Sequence, residues 1–230
     1  MSNPWFDQLG VFDLETTGID VETSRIVSAH VGVINGNGAV VERSDWIADP
    51  GVDIPLQASA VHGITTERAR AEGRPAREVI AEIVAALQSI FDRGMALTIY
   101  NAPYDLTLLN REAVRHGLAP LRAPFPIIDP LILDRAVDRF RKGKRTLEAA
   151  ALVYGVSLTD AHDAGADAIA AGRVAQAMVR LYENDLGIEA AQLHVAQVGW
   201  SADQAASFAD YMRRNHNPEF AAVGGWPERV

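Results

Sequence analysis

Phe12-Asp13-Leu14-Glu15-Thr16-Thr17-Gly18 ends an apolar run that begins at Leu9. Residues 9–14 read as a short buried strand, and Thr17-Gly18 as the turn that stops it. Side chains two apart on a strand share a face, so Asp13 and Glu15 point the same way. Two acids side by side repel unless a cation lies between them, and Mg²⁺ and Mn²⁺ favour carboxylate oxygens and water. Two solvated strand-end acids would show the same spacing, so the segment alone does not decide.

Working outward, residues 25–34 form a second strand. Asn35-Gly36-Asn37-Gly38 is a hairpin turn, and residues 39–48 return as a third strand. Residues 55–61 read as a short helix closed by His62-Gly63. Residues 75–91 carry Val79, Ile80, Ile83, Val84, Leu87, Ile90 and Phe91 at helical spacing. A buried strand follows over 95–100, then a helix over 104–116. Residues 126–133 read as another strand, and 135–145 as a polar loop or frayed helix. Thr146 caps a helix to Tyr154, and 163–182 is a long Ala-rich helix. A three-strand meander followed by alternating strands and helices predicts an α/β fold: a mixed five-stranded sheet flanked by helices. One domain is expected over 5–183, with 184–230 as a helical or irregular appendage.

Composition narrows the class. The chain has 230 residues, enough for one α/β domain with a real core, and its 48% hydrophobic content excludes wholesale disorder. It has no cysteine, which excludes disulfide scaffolds, thiolate zinc sites and thiol catalysis, and fits a reducing cytoplasm. The N-terminus lacks a signal-peptide pattern, and no apolar stretch is long enough to span a bilayer, so no membrane partner is expected. A net charge of −9 argues against coating nucleic acid by bulk electrostatics, but not against holding one strand end.

Further acids sit at element ends. Asp105 opens a helix after a buried strand, where the helix dipole favours negative charge. His162 and Asp167 frame His162-Asp163-Ala164-Gly165-Ala166-Asp167-Ala168. Asp163 reads as the N-cap of the long helix. The small neighbours let that helix press on the sheet, bringing Asp167 toward Asp13. Each residue taken alone has an ordinary explanation. Four acids and a histidine, each at an element end, are hard to explain separately.

These segments resemble the DEDDh exonucleases of the ribonuclease H-like superfamily, which include the epsilon proofreading subunits of bacterial DNA polymerase III and their stand-alone relatives. The resemblance covers about residues 9–183. It rests on Phe12 to Gly18, on Tyr100-Asn101-Ala102-Pro103-Tyr104-Asp105-Leu106-Thr107-Leu108-Leu109, and on His162 to Ala168, in that order. The tyrosine sub-class would place Tyr where Asp163 stands, whereas the histidine five residues before Asp167 is present.

The resemblance implies a metal-dependent 3′–5′ exonuclease that releases nucleoside 5′-monophosphates through two ions, Mg²⁺ or Mn²⁺. Asp13, Glu15 and Asp167 would hold one ion, with Asp13 bridging to a second that Asp105 serves. His162 would be the general base, a role that the ordinary imidazole pKa of ~6.5 suits. Backbone around Leu14, Thr16 and Thr17 would meet the terminal 3′-OH. His62 would lie near the terminal nucleotide, although a helix-capping histidine reads the same. Tyr104 would stack on a base, or be a half-buried core aromatic. Arg139, Arg141, Lys142, Lys144 and Arg145 form a basic cluster, with Arg141 and Lys142 the expected phosphate contacts. The expected partner is nucleic acid with a free 3′ end, single-stranded DNA first. RNA of the oligoribonuclease or RNase T kind and a non-catalytic binding module are the alternatives. The tail, which carries Trp200, Phe208, Tyr211 and Trp226, is expected to dock a DNA polymerase, to pack back on the domain, or to support contacts with a second copy.

Overall fold

Strand β1 (Gln8–Thr16) lies inside a six-stranded mixed sheet. The computed structural model describes residues 4–159, 161–222 and 224–229. The first three residues of the N-terminal stretch discussed above lie outside that set. β1 pairs antiparallel with β2 (Ile26–Asn35), and β2 pairs antiparallel with β3 (Val40–Asp49). On its other side β1 pairs in parallel with β5 (Leu97–Thr98), which pairs in parallel with β6 (Ile127–Ile128). The meander and the mixed character match the sequence reading.

The sheet has one more strand than expected. β4 (Arg74–Pro75) pairs in parallel with the end of β3. Two residues are too few for a periodic signal. Gly73 permits the approach: a Cβ there would lie 2.6 Å from the Ala48 carbonyl carbon. A second correction concerns residues 126–133. The strand ends at Ile128, and Leu131 and Ile132 belong to helix α5 (Pro130–Val137). Asp129 caps that helix by accepting from the Leu131 N–H, and Pro130 suits its first position. An apolar run of that length reads equally well as strand or buried helix.

The short helices α1 (Leu56–His62) and α2 (Thr66–Glu72) precede β4. Helices α3 (Ala76–Asp92) and α4 (Ala102–Arg115) cover one face of the sheet. Phe12 and Leu14 point into that layer with Ile80, Ile83, Leu87 and Leu106. Helix α6 (Leu147–Val153) and the long α7 (Ala164–Leu181) cover the other face, where Leu9 and Val11 meet Ala168 and Ala175. α7 comes close because Gly172 has no side chain. A Cβ there would lie 2.6 Å from Val11 and 2.7 Å from Ile34.

After the short α8 (Glu183–Leu186), helix α9 (Ala190–Asn215) runs along β6. β6 ends the sheet order, so its outer backbone groups lack a neighbouring strand. Side chains of α9 take that place. His194 Nδ1 accepts from Ile127 N–H, while Gln197 accepts from Asp129 N–H and donates to the Ile127 carbonyl. These groups satisfy a sheet edge that would otherwise be buried unpaired. Trp226, far along the tail, is also buried in the core.

Candidate active site

Asp13 and Glu15 extend the row of Leu9 and Val11, so both carboxylates leave the sheet on the α7 side. Both are half-buried. β5 makes its last rung with β1 at Val11. Beyond it, the chain turns at Asn101, whose φ of 65° is left-handed, and enters α4. Asp105 in the first turn of α4 then takes the place of a missing strand carbonyl. Its Oδ1 accepts from Leu14 N–H at 3.2 Å. The short length of β5 is what lets a buried carboxylate reach the backbone between Asp13 and Glu15.

Asp163 caps α7, accepting from Ala166 N–H at 3.0 Å. His162, just before it, has a φ of 69°. Its backbone N–H donates to Asp167 Oδ2 at 3.2 Å. The other oxygen, Oδ1, is buried with no hydrogen-bond partner. One ligand atom from each of Glu15, His162 and Asp167 lies within 4.8 Å of the others. The imidazole is exposed, with Nε2 3.6 Å from Glu148 Oε1. In the sequence Glu148 stands only as an acid in the first turn of α6, too far from His162 for any local pattern to pair them.

Burial and mutual repulsion strain these acids. Burial, followed by the charges of Asp105, Glu15, Asp167 and Asp163, raises Asp13 well above the carboxylate range. Burial and the charges of Asp167 and Asp105 raise Glu15 to about 8. Burial also raises Asp105 to about 8, against backbone hydrogen bonds that lower it. Asp167 is raised by burial, which outweighs its contact with His162. Such a cluster stays ionised near neutral pH only if positive charge enters it. With the unpartnered Asp167 oxygen, such a donor set would suit a hard divalent cation.

The rim holds most of the expected substrate contacts. The Tyr104 hydroxyl donates to the Gly18 carbonyl at 2.5 Å and lies 2.6 Å from Thr16 Oγ1. Its ring is half-buried against the core, so it braces the end of β1. Thr17 Oγ1 accepts from Arg25 N–H, closing the turn. Leu14 buries its side chain and offers the site only its backbone. His62 ends α1, half-buried, facing the Thr16 backbone and His162; burial holds its pKa low.

The basic loop divides. Arg141 and Arg145 turn inward onto the fully buried Asp134, at 2.5 and 2.7 Å, and Tyr154 adds a hydrogen bond. Arg141 is thus committed to holding the loop rather than free for phosphate. Lys142 and Lys144 stay exposed. The pairing partner lies outside the basic run, so the run alone could not reveal it. Asp129 is likewise hidden in the sequence, because it lies within an apolar run that reads as strand but caps α5.

A family model described as Exonuclease matches residues 11–175, which include all five residues of the cluster. The chain belongs to the exonuclease family. The domain is a 3′–5′ exonuclease of the DEDD type. A DNA polymerase III subunit epsilon-like protein of Rhodobacter capsulatus is 33% identical over 175 residues, spanning 74% of this chain and 23% of that protein. A PolC-type DNA polymerase III of Lacticaseibacillus paracasei is 30% identical over 176 residues, spanning 73% of this exonuclease and 11% of the polymerase. The exonuclease therefore spans less than a quarter of these relatives. In fold it resembles exonuclease I, with a TM-score of 0.66 at 20% identity over 78% of this chain and 42% of the other. A complex of E. coli exonuclease I with a dA16 oligonucleotide has a TM-score of 0.63 at 21% identity, over the same shares.

Proposed function

We propose that this domain removes nucleoside 5′-monophosphates from the 3′ end of single-stranded DNA, using divalent cations held by Asp13, Glu15, Asp105 and Asp167. The observation that carries this reading is the convergence of four carboxylates and His162 at the end of β1, with Asp167 Oδ1 buried and unpartnered. Bound there, Mg²⁺ or Mn²⁺ would offset the carboxylate charge and stabilise negative charge developing on phosphate oxygens.

The chain's own groups perform the rest. His162 projects into solvent beside Glu15 and Asp167, where it takes a proton from the attacking water. Glu148 faces its Nε2 and favours the imidazolium that results. The new bond joins the water oxygen to phosphorus, and the 3′-oxygen of the upstream nucleotide leaves. Thr16, Thr17 and Tyr104 hold the end of β1 rigid where the terminal nucleotide sits, with His62 on the far rim. Lys142 meets the upstream phosphates.

DNA is favoured because exonuclease I, a fold neighbour, is described in complex with DNA oligonucleotides. The relatives' names pair this domain with a polymerase. Here part of the C-terminal segment is packed on its own domain. No helix among the described residues is long and apolar enough to cross a membrane. The deciding experiment digests 3′-labelled single-stranded DNA, duplex DNA and short RNA with Mg²⁺ or Mn²⁺, beside EDTA and Asp13→Ala controls. Cleavage that survives both controls would sink the metal reading, and preference for RNA would overturn the substrate.

A further inference from the structure

Asp129 is fully buried, and its carboxylate accepts from four N–H groups, with no cation among its partners in the described residues. Oδ1 accepts from Asn101 N–H at 2.9 Å and Leu131 N–H at 3.0 Å. Oδ2 accepts from Ala102 N–H at 3.0 Å and from the Trp226 indole at 3.2 Å. One side chain therefore caps two helices, α4 and α5. α4 needs this outside cap because the side chain of its own N-cap, Asn101, makes no capping bond.

Trp226 reaches α4 through Asp129, and the tail also touches that helix directly. Arg229 N–H donates to Thr107 Oγ1 at 2.8 Å. Thr107 is buried and lies two residues after Asp105. Trp226 is held in turn by His194, with ring centroids 4.8 Å apart, and His194 is bound to the β6 backbone. Residues 225–229 thus bridge β6 and the start of the helix that presents Asp105 and Tyr104. They lie beyond the matched family region, which ends at 175.

We propose that this tail is a strap that positions the active site: Trp226, through Asp129, and Arg229, through Thr107, fix the first turn of α4 so that Asp105 meets the cations. Asp129, Thr107 and Trp226 are positioning residues, and the inference rests on Asp105 serving the metal centre. It differs from simple core filling, in which Trp226 would matter for stability alone. A hydrogen bond to a charged acceptor is worth enough to alter an equilibrium about tenfold or more.

The test is Trp226→Phe in the full chain, which keeps an aromatic ring and removes the donor. Mn²⁺ binding without nucleic acid, followed by calorimetry, should weaken about tenfold. On an oligonucleotide, kcat should fall with KM little changed. Thr107→Val should weaken Mn²⁺ binding in the same direction by a smaller factor, and it keeps the strap testable if Trp226→Phe does not fold. Leu186→Ala removes a buried contact from the other core layer. It should lower Tm but leave Mn²⁺ affinity unchanged well below the melting range. Wild-type Mn²⁺ affinity in both Trp226→Phe and Thr107→Val, or an equal loss in Leu186→Ala, overturns the strap. Asp105→Ala separates the two readings. If it weakens Mn²⁺ binding while neither Trp226→Phe nor Thr107→Val does, only the strap fails. If it does not, the metal role of Asp105 fails and the strap's function with it.

Discussion

The Leu14 N–H donates to the Asp105 carboxylate across the gap left where β5 ends, joining the backbone of the strand that carries Asp13 and Glu15 to the helix that carries the third acid. Asp105→Asn keeps an acceptor for Leu14 and removes a charge from the cluster. Without metal, this variant should be at least as stable as wild type at pH 8, by thermal melting. Its turnover should fall by a factor on the order of a hundred or more, because the charge that opposes folding is the one the cations need. A lower Tm in the metal-free variant would contradict this.

Metal-free stability should fall as pH rises. In the folded chain Glu15 and Asp105 are raised to about 8, and Asp13 and Asp167 are also raised. The unfolded chain loses these protons near ~4. The folded state therefore binds more protons between those limits, and the stability they contribute is complete below the unfolded pKa and lost through pH 8. Chemical denaturation from pH 4.5 to 8.5 in EDTA should show the decline attributable to these groups. Added Mg²⁺ or Mn²⁺ should largely abolish it, and equal slopes with and without metal would count against the cluster as a cation site.

His162→Ala should separate chemistry from binding. Turnover is expected to fall by about 10²- to 10⁴-fold. Mn²⁺ should still bind by calorimetry, since the carboxylates remain. Unchanged turnover would remove His162 from proton transfer.

Gly172→Val tests the close approach of α7. Its Cβ would lie within 2.7 Å of Val11 and Ile34, both buried side chains. Urea denaturation should show a loss of about 1–3 kcal/mol from overpacking. Because α7 also carries Asp167, turnover should drop even where the protein remains folded. Full activity would mean that α7 can slide without moving the site.

Arg141 and Lys142 are neighbours with opposite expectations. Arg141→Ala removes one of two guanidinium partners of buried Asp134, and should cost stability on the order of 1–3 kcal/mol. Lys142→Ala should leave stability within about 0.5 kcal/mol. It should weaken single-stranded DNA binding and make the logarithmic salt slope shallower by about 0.7. The reverse assignment would return Arg141 to the phosphate path.

The amino-acid sequence by itself determined the meander, the helices with strong apolar period, and the three acidic segments at element ends. Those features are local: alternation places Asp13 and Glu15 on one face, and Asp163 caps its own helix. Only the tertiary structure decided which distant groups meet. β4 is too short to carry a period, and residues 129–133 could be strand or helix until Asp129 acted as a cap. Arg141 reads as free because its partner Asp134 lies outside the basic run, and Glu148 meets His162 from α6. Phe12 to Gly18 supplied two acids on a strand. The Asp105 bond to Leu14 depends on where β5 stops, and the unpartnered Asp167 oxygen on how closely a glycine lets α7 approach. Long-range packing sets both distances, and no local pattern encodes them.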